Sequence, residues 1–157
     1  MKPKVYIETS TISYLIARPS RDLVIAANQQ VTREWWDTRR SLFDLYISQV
    51  VIDEANAGDP EAARQRLEAL QGIPLLELKT EALDLASEFI RPKALPKKAS
   101  QDALHIAIAA VYGLDYLLTW NCKHIANAVI QKTILRIVAE QGYELPIICT
   151  PYELLGE

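Results

Sequence analysis

Short apolar runs alternate along this chain with longer stretches in which apolar residues return every three or four positions. The first rhythm belongs to strands and the second to helices. Val5–Thr9 reads as an opening strand, followed by a short helix over Thr11–Ala17 that the Arg18-Pro-Ser20 break closes. Leu23–Arg40 has helical spacing, with Leu23, Ala26, Ala27, Val31 and Trp35 on its inner face, and Phe43–Ser48 alternates as a second strand. Val51–Ala57 predicts a short helix broken at Gly58-Asp59-Pro60, and Glu61–Gln71 a further one with Ala63, Leu67 and Leu70 inward. Ile73–Leu78 is a third strand, which Pro74 restricts to a sheet edge or to its own start. Thr80–Ile90 predicts a helix with Leu83, Ala86 and Phe89 inward, ended by Pro92. A basic, proline-containing loop, Lys93–Lys98, follows.

Ser100–Gly113 differs from the other helical stretches. Past its first turn it is apolar around the whole circumference except at His105, the pattern of a helix buried on all sides. Ser100 is a candidate N-cap and Gly113 a candidate stop. Tyr116–Trp120 then reads as a central strand, and Asn121-Cys-Lys-His124 opens a long helix ending near Gly142. Pro146–Cys149 is the last strand, leading into a capping box with proline at N1, Thr150-Pro-Tyr-Glu153. Strands alternating with helices across short turns define an α/β class: one domain spanning residues 1–157, in three α/β/α layers around a mostly parallel sheet of about five strands.

Composition narrows the setting. At 157 residues, half of them hydrophobic and 24% charged, the chain suits one ordinary globular domain. Cys122 and Cys149 form neither a disulfide framework nor a CxxC pair, so both are expected as free thiols in a reducing compartment, most simply the cytoplasm. The apolar run after Lys2 and Lys4 breaks at Glu8, which is not the pattern of a secretory leader. No apolar stretch has the length of a membrane span. A net charge of −3 argues against bulk electrostatic capture of nucleic acid. If Glu8, Glu54 and Asp102 serve a metal, however, their removal from the 20 acidic residues leaves 17 against 17 basic ones, and an RNA substrate is compatible with that balance.

In open parallel sheets the ligand crevice lies beyond the carboxyl ends of the strands. Glu8-Thr9-Ser10, Glu54 and Asn121 fall at or near such ends, and Asp102 starts the helix that feeds the strand carrying Asn121. Glu8 stands out because glutamate is depleted from strands. Each also has a plain role: Glu8 as a strand-end residue turned to solvent, Glu54 and Asp102 as favourable charges in a first helical turn, Asn121 as an N-cap. Converging carboxylates repel unless a cation is present, and Mg²⁺ or Mn²⁺ with oxygen ligands suits such a set. That arrangement serves phosphodiester hydrolysis by a metal-activated water.

The opening Val5-Tyr-Ile-Glu-Thr-Ser10, Ser48–Glu54, Asp102–Ala110, Leu118-Thr-Trp-Asn121 and the closing Thr150–Leu155 together resemble the PIN-domain nucleases, in particular the VapC-type toxin ribonucleases. The resemblance spans nearly the whole chain. It implies a PIN-like fold, an Mg²⁺- or Mn²⁺-dependent ribonuclease, RNA as substrate, a small antitoxin partner and a homodimer. It carries the family's acidic quartet onto Glu8, Glu54, Asp102 and Asn121, with the first three as metal ligands. Glu8 stands where aspartate is usual and Asn121 brings no charge, which implies weaker metal binding and one tightly held ion. Thr9 or Ser10 is expected to contact a water or phosphate, and Lys123 a phosphate. A second reading, kept alive by those two departures, is a PIN-fold module that binds RNA or protein without cutting.

Other residues have two readings each. His105 is a proton shuttle beside Asp102 or a hydrogen-bonded core histidine. Cys122 and His124 suggest a thiol nucleophile, but two residues apart at a helix start their side chains diverge. Trp35 and Trp36 either stack bases or serve packing or a dimer contact. Arg33, Arg39, Arg40, Lys93, Lys97 and Lys98 line an RNA path or are scattered surface charge.

Overall fold

The computed structural model describes residues 1–91 and 94–156, so the expected helix stop at Pro92 and the candidate Lys93 lie outside the described residues. Five parallel strands form one sheet: β1 (Lys4–Ile7), β2 (Asp44–Ser48), β3 (Leu75–Leu76), β4 (Tyr116–Leu118) and β5 (Ile147–Cys149), in the order β3-β2-β1-β4-β5. Tyr6 pairs with Tyr46 on one side and Leu117 on the other, which makes β1 the central strand. Among the described residues, seven α-helices link the strands: α1 (Thr9–Ile16), α2 (Leu23–Thr38), α3 (Gln49–Ala55), α4 (Pro60–Leu70), α5 (Thr80–Ile90), α6 (Ser100–Val111) and α7 (Ala128–Glu140).

The chain leaves β1 outward through β2 to β3, then crosses back to β4 and β5. Right-handed crossovers in opposite directions put their helices on opposite faces. Accordingly α1 touches α2, α3 and α4, whereas α5 touches α6 and α7. This is the expected three-layer, PIN-like arrangement, and the direction of travel reverses between β1 and β4. α6 is the most buried helix, with Ala103, His105 and the run Ile106–Ala110 inside.

Local chemistry moved several expected boundaries. β1 ends at Ile7 because Glu8 is already the N-cap residue of α1. β4 ends at Leu118 rather than Trp120: Thr119 N–H still reaches the Cys149 carbonyl, but Trp120 N–H turns to the Ser10 hydroxyl. Asn121 does not open the long helix. Its backbone carbonyl takes the N–H groups of Ile125 and Ala126 and its side chain that of His124, which closes a compact turn. A second asparagine, Asn127, then caps α7 by accepting from Val129 and Ile130.

Ser100 is the first residue of α6, not its cap, and its hydroxyl bonds back to the Lys97 carbonyl. Glu153 accepts from Thr150 N–H at 3.2 Å, so half of the capping box forms, closing a turn without a following helix. β3 shrinks to two residues directly after Pro74, at the sheet edge.

Two helix faces also differ. α2 buries Gln29, Thr32 and Trp35 and leaves Leu23 exposed; Gln29 is satisfied by Ser20 N–H and the Arg18 carbonyl, which ties down the α1–α2 loop. In α5, Leu83 is exposed and Leu85 takes the inner position.

The end of α3, which carries Glu54, is held by one long side chain. Arg66 donates to the Ala55 carbonyl at 2.9 Å and to the Ala57 carbonyl at 2.6 Å, meeting carbonyls that a helix end leaves unpaired. Arg66→Ala is therefore expected to cost about 1–2 kcal/mol in urea unfolding. Arg66→Met, which keeps the apolar stem, should lose nearly as much; full recovery by Met would assign the effect to packing.

Candidate metal centre at the crossover point

β1 and β4 are adjacent strands whose chains leave in opposite directions, so their carboxyl ends open the crevice where ligands bind in such sheets. Glu8 follows β1 and is buried, 4% exposed. Its Oε1 accepts hydrogen bonds from Ser10 and, at 2.5 Å, from Thr119, the residue after β4. The Ser10 hydroxyl also accepts Trp120 N–H at 2.8 Å, so one serine joins α1, Glu8 and the strand that turns away. Glu54, in the last turn of α3, accepts from the Thr9 hydroxyl at 2.6 Å.

His105 completes this group. Its Nε2 lies 2.6 Å from Glu54 Oε1 and its Nδ1 lies 2.6 Å from the Tyr6 hydroxyl, which contacts the Ser48 hydroxyl at 2.7 Å. The ring is fully buried, edge-on to Tyr6. One donor atom from each of Glu8, Glu54 and His105 lies within 4.8 Å of the others. Of the three expected metal ligands, the structure thus gathers Glu8 and Glu54. Asp102 stands apart from that group: Asn121 donates to its Oδ1 at 3.0 Å and His124 Nδ1 meets its Oδ2 at 3.0 Å.

The electrostatics follow from burial and pairing. Burial opposes the charge on Glu54, but the hydrogen bond and charge of His105, with the Thr9 hydroxyl, outweigh it and leave the carboxyl below its ordinary value. Burial likewise disfavours the imidazolium of His105, yet the Glu54 hydrogen bond and the charges of Glu8, Glu54 and Asp102 raise its pKa. Tyr6 is pushed up, chiefly by burial, and remains a neutral phenol.

Without metal, the directions of these two shifts predict where the pair contributes most to stability. A raised histidine contributes stability that is full below its ordinary value, 6.5, and is lost as pH rises through the folded value. A lowered glutamate contributes above its ordinary value, 4.5, and is lost as pH falls through the folded value. The pair is therefore expected to stabilise the chelator-treated protein most between about pH 4.5 and 6.5. Urea unfolding across pH 4–8 tests this, and His105→Asn should flatten the alkaline limb. An unchanged limb in that variant would place the dependence elsewhere.

The remaining candidates divide clearly. The hydroxyls of Thr9 and Ser10, expected to meet water or phosphate, are given to the two carboxylates. Lys123 is exposed in the turn beside Asn121, and Lys97 and Lys98 are exposed before α6. Arg33 is tied to the Ala17 carbonyl, Arg40 lies over the Trp36 ring at 4.0 Å, and Arg39 is partly buried. Trp35 is fully buried.

The residues that sequence reasoning missed are Thr119, Tyr6, Ser48 and the pairing of His124 with Asp102. Their only signals were a lone threonine at the end of an apolar strand and the Asn-x-x-His spacing. A hollow of about 490 Å³ at the amino ends of β1, β4 and β5, lined by Lys2, Pro3, Asp115 and Glu144 among others, brings no comparable chemistry together.

The all-parallel five-stranded sheet with carboxylates at its crossover point is the α/β architecture that the resemblance to PIN domains implied. Two solved structures share it. VapC20 of Mycobacterium tuberculosis, a sarcin-ricin loop cleaving toxin, superposes with a TM-score of 0.60 at 14% identity, over 76% of this chain and 92% of that one. VapBC2 from Rickettsia felis, bound to a DNA fragment from their promoter, gives 0.56 at 15% identity, over 94% and 98%. Neither a family model nor a curated protein sequence matches the chain. Among the described residues, no helix is long and apolar enough to cross a membrane.

Proposed function

We propose that this protein is an Mg²⁺- or Mn²⁺-dependent endoribonuclease, the toxin of a type II toxin–antitoxin pair, acting in the cytoplasm as a homodimer and held inactive by a small antitoxin. The observation that carries the reading is the convergence of the Glu8 and Glu54 carboxylates at the β1/β4 crossover point, with Asp102 anchored nearby. The fold shared with the two VapC structures supports it.

The donor set suits a divalent cation, since two buried or half-buried carboxylates otherwise face each other across one crevice. Such an ion would activate the attacking water and neutralise charge on the phosphate. Glu8 and Glu54 bind it, oriented by Ser10, Thr119 and Thr9. Asp102 adds the third acidic charge, fixed by Asn121 and His124. Lys123 meets a backbone phosphate from the rim. In the reaction one P–O bond forms to water, one P–O bond to ribose breaks, and a proton passes to the leaving oxygen.

A thermal melt with Mn²⁺, alongside cleavage of a labelled single-stranded RNA, tests this. Mn²⁺ at about 100 times its Kd should add roughly 2.7 kcal/mol. Internal cuts should appear with Mn²⁺ and vanish with chelator. The uncharged Asn121 favours the second reading, a PIN-fold module that binds without cutting. Stable RNA binding with no cleavage under Mn²⁺ would put that reading first.

A further inference from the structure

Resting on the reading that a cation serves this crevice, we infer that it is held through nitrogen as well as oxygen. His105 Nε2 joins Glu8 and Glu54 as a protein ligand, and Asp102 stays outside the first coordination sphere. The site therefore takes an imidazole-tolerant ion such as Zn²⁺, Fe²⁺ or Co²⁺ in preference to Mg²⁺.

Ions of this size bind nitrogen and oxygen at about 2.0–2.2 Å, so donors sharing one ion lie up to about 4.4 Å apart. The three donor atoms here fall within 4.8 Å of one another, and a small swing of the Glu54 carboxylate closes the remainder. Asp102, by contrast, has a partner on each oxygen, the Asn121 amide and the His124 ring.

The ring is also held as a ligand would be. A metal-binding histidine nearly always has its other nitrogen fixed by a hydrogen bond, which sets tautomer and orientation. His105 Nδ1 is fixed by the Tyr6 hydroxyl, and Tyr6 by Ser48, all within the core. Nε2 is thereby aimed at the carboxylate pair and not at any part of the hydrophobic interior. The hydroxyls of Thr9, Ser10 and Thr119 do for the two glutamates what Tyr6 does for the ring.

Imidazole is a good ligand for Zn²⁺, Fe²⁺, Co²⁺ and Ni²⁺, whereas Mg²⁺ demands oxygen and keeps its waters. A buried nitrogen among two carboxylates shifts preference away from Mg²⁺.

The chain has two histidines, His105 and His124, which makes the test decisive. The whole, untagged protein is loaded with Co²⁺ alone, and its proton NMR spectrum is searched for a paramagnetically shifted, exchangeable imidazole N–H. The Nδ1–H of His105, buried against Tyr6, should exchange slowly enough to be seen. Wild type and His124→Asn should both show it, and His105→Asn should not. In calorimetry His105→Asn should lose at least about ten-fold in Co²⁺ affinity. If that variant does not fold, wild type and His124→Asn still decide.

Co²⁺ bound with no shifted imidazole would overturn the nitrogen ligand and leave the nuclease reading standing. A shifted proton lost only in His124→Asn would also overturn it. Co²⁺ bound through His105 by a protein that cuts no RNA would support this inference and defeat the nuclease reading. Failure to bind Co²⁺ or Mg²⁺ would defeat both.

Discussion

Glu54→Gln is expected to lower RNA cleavage by about 10²–10³ in kcat while leaving the fold intact. The substitution keeps the size of the side chain and an oxygen that still accepts from Thr9 and from His105 Nε2–H, so the local hydrogen bonds have a ready substitute. It removes the one negative charge that His105 contacts directly. Two consequences should therefore appear together: weaker divalent-cation binding in calorimetry, and a weakened acidic pH optimum of stability in chelator-treated protein, because His105 loses its hydrogen-bonded carboxylate and keeps only the charges of Glu8 and Asp102. A folded Glu54→Gln protein that retained more than about a tenth of wild-type kcat would show that this crevice is not where the chemistry occurs.

Much of this arrangement was legible in the order of residues, and the illegible part has a common cause. Strands and helices could be read because each carries its own period. Glu8 could be read as a candidate because glutamate is depleted from strands, whereas Glu54, in the helix after β2, was marked chiefly by the resemblance to the PIN-domain pattern. His105 had no such mark. A lone histidine in an apolar helix reads as a satisfied core residue, and His105 is satisfied, but its partners Tyr6 and Glu54 lie 99 and 51 residues away in the chain. The Asp102–Asn121–His124 cluster also depends on contacts across about 20 residues, made by a turn that sequence spacing reads as helix.

α7 shows the same limit in local form. Asn121 and Asn127 are both competent caps; Asn121 is spent on the turn that accepts from His124, Ile125 and Ala126, and Asn127 begins the helix. Leu83 and Leu85 similarly both suit an amphipathic α5, and the position of α6 selects between them.

Trp35 gives the largest expected effect on stability. The sequence allowed it to be a base-stacking platform, but the indole is fully buried on the inner face of α2, with Phe43 at 5.8 Å and Trp36 at 6.4 Å between ring centres. Trp35→Ala should cost about 3–5 kcal/mol, since the removed ring leaves a cavity that helices on a sheet cannot close. For a chain of this length the thermal midpoint should fall by on the order of 10 °C. Trp35→Phe should behave quite differently. The indole N–H has no hydrogen-bond partner, and an orphan buried donor costs about 1–3 kcal/mol. Phenylalanine removes that donor while keeping most of the ring, so the two changes offset and the net loss should stay below about 2 kcal/mol. Thermal melts of the two variants measure the difference, and RNA binding measured below their midpoints should match wild type. Weaker RNA binding by Trp35→Phe at unchanged stability would instead restore the base-stacking role, because only a ring in contact with substrate would respond that way.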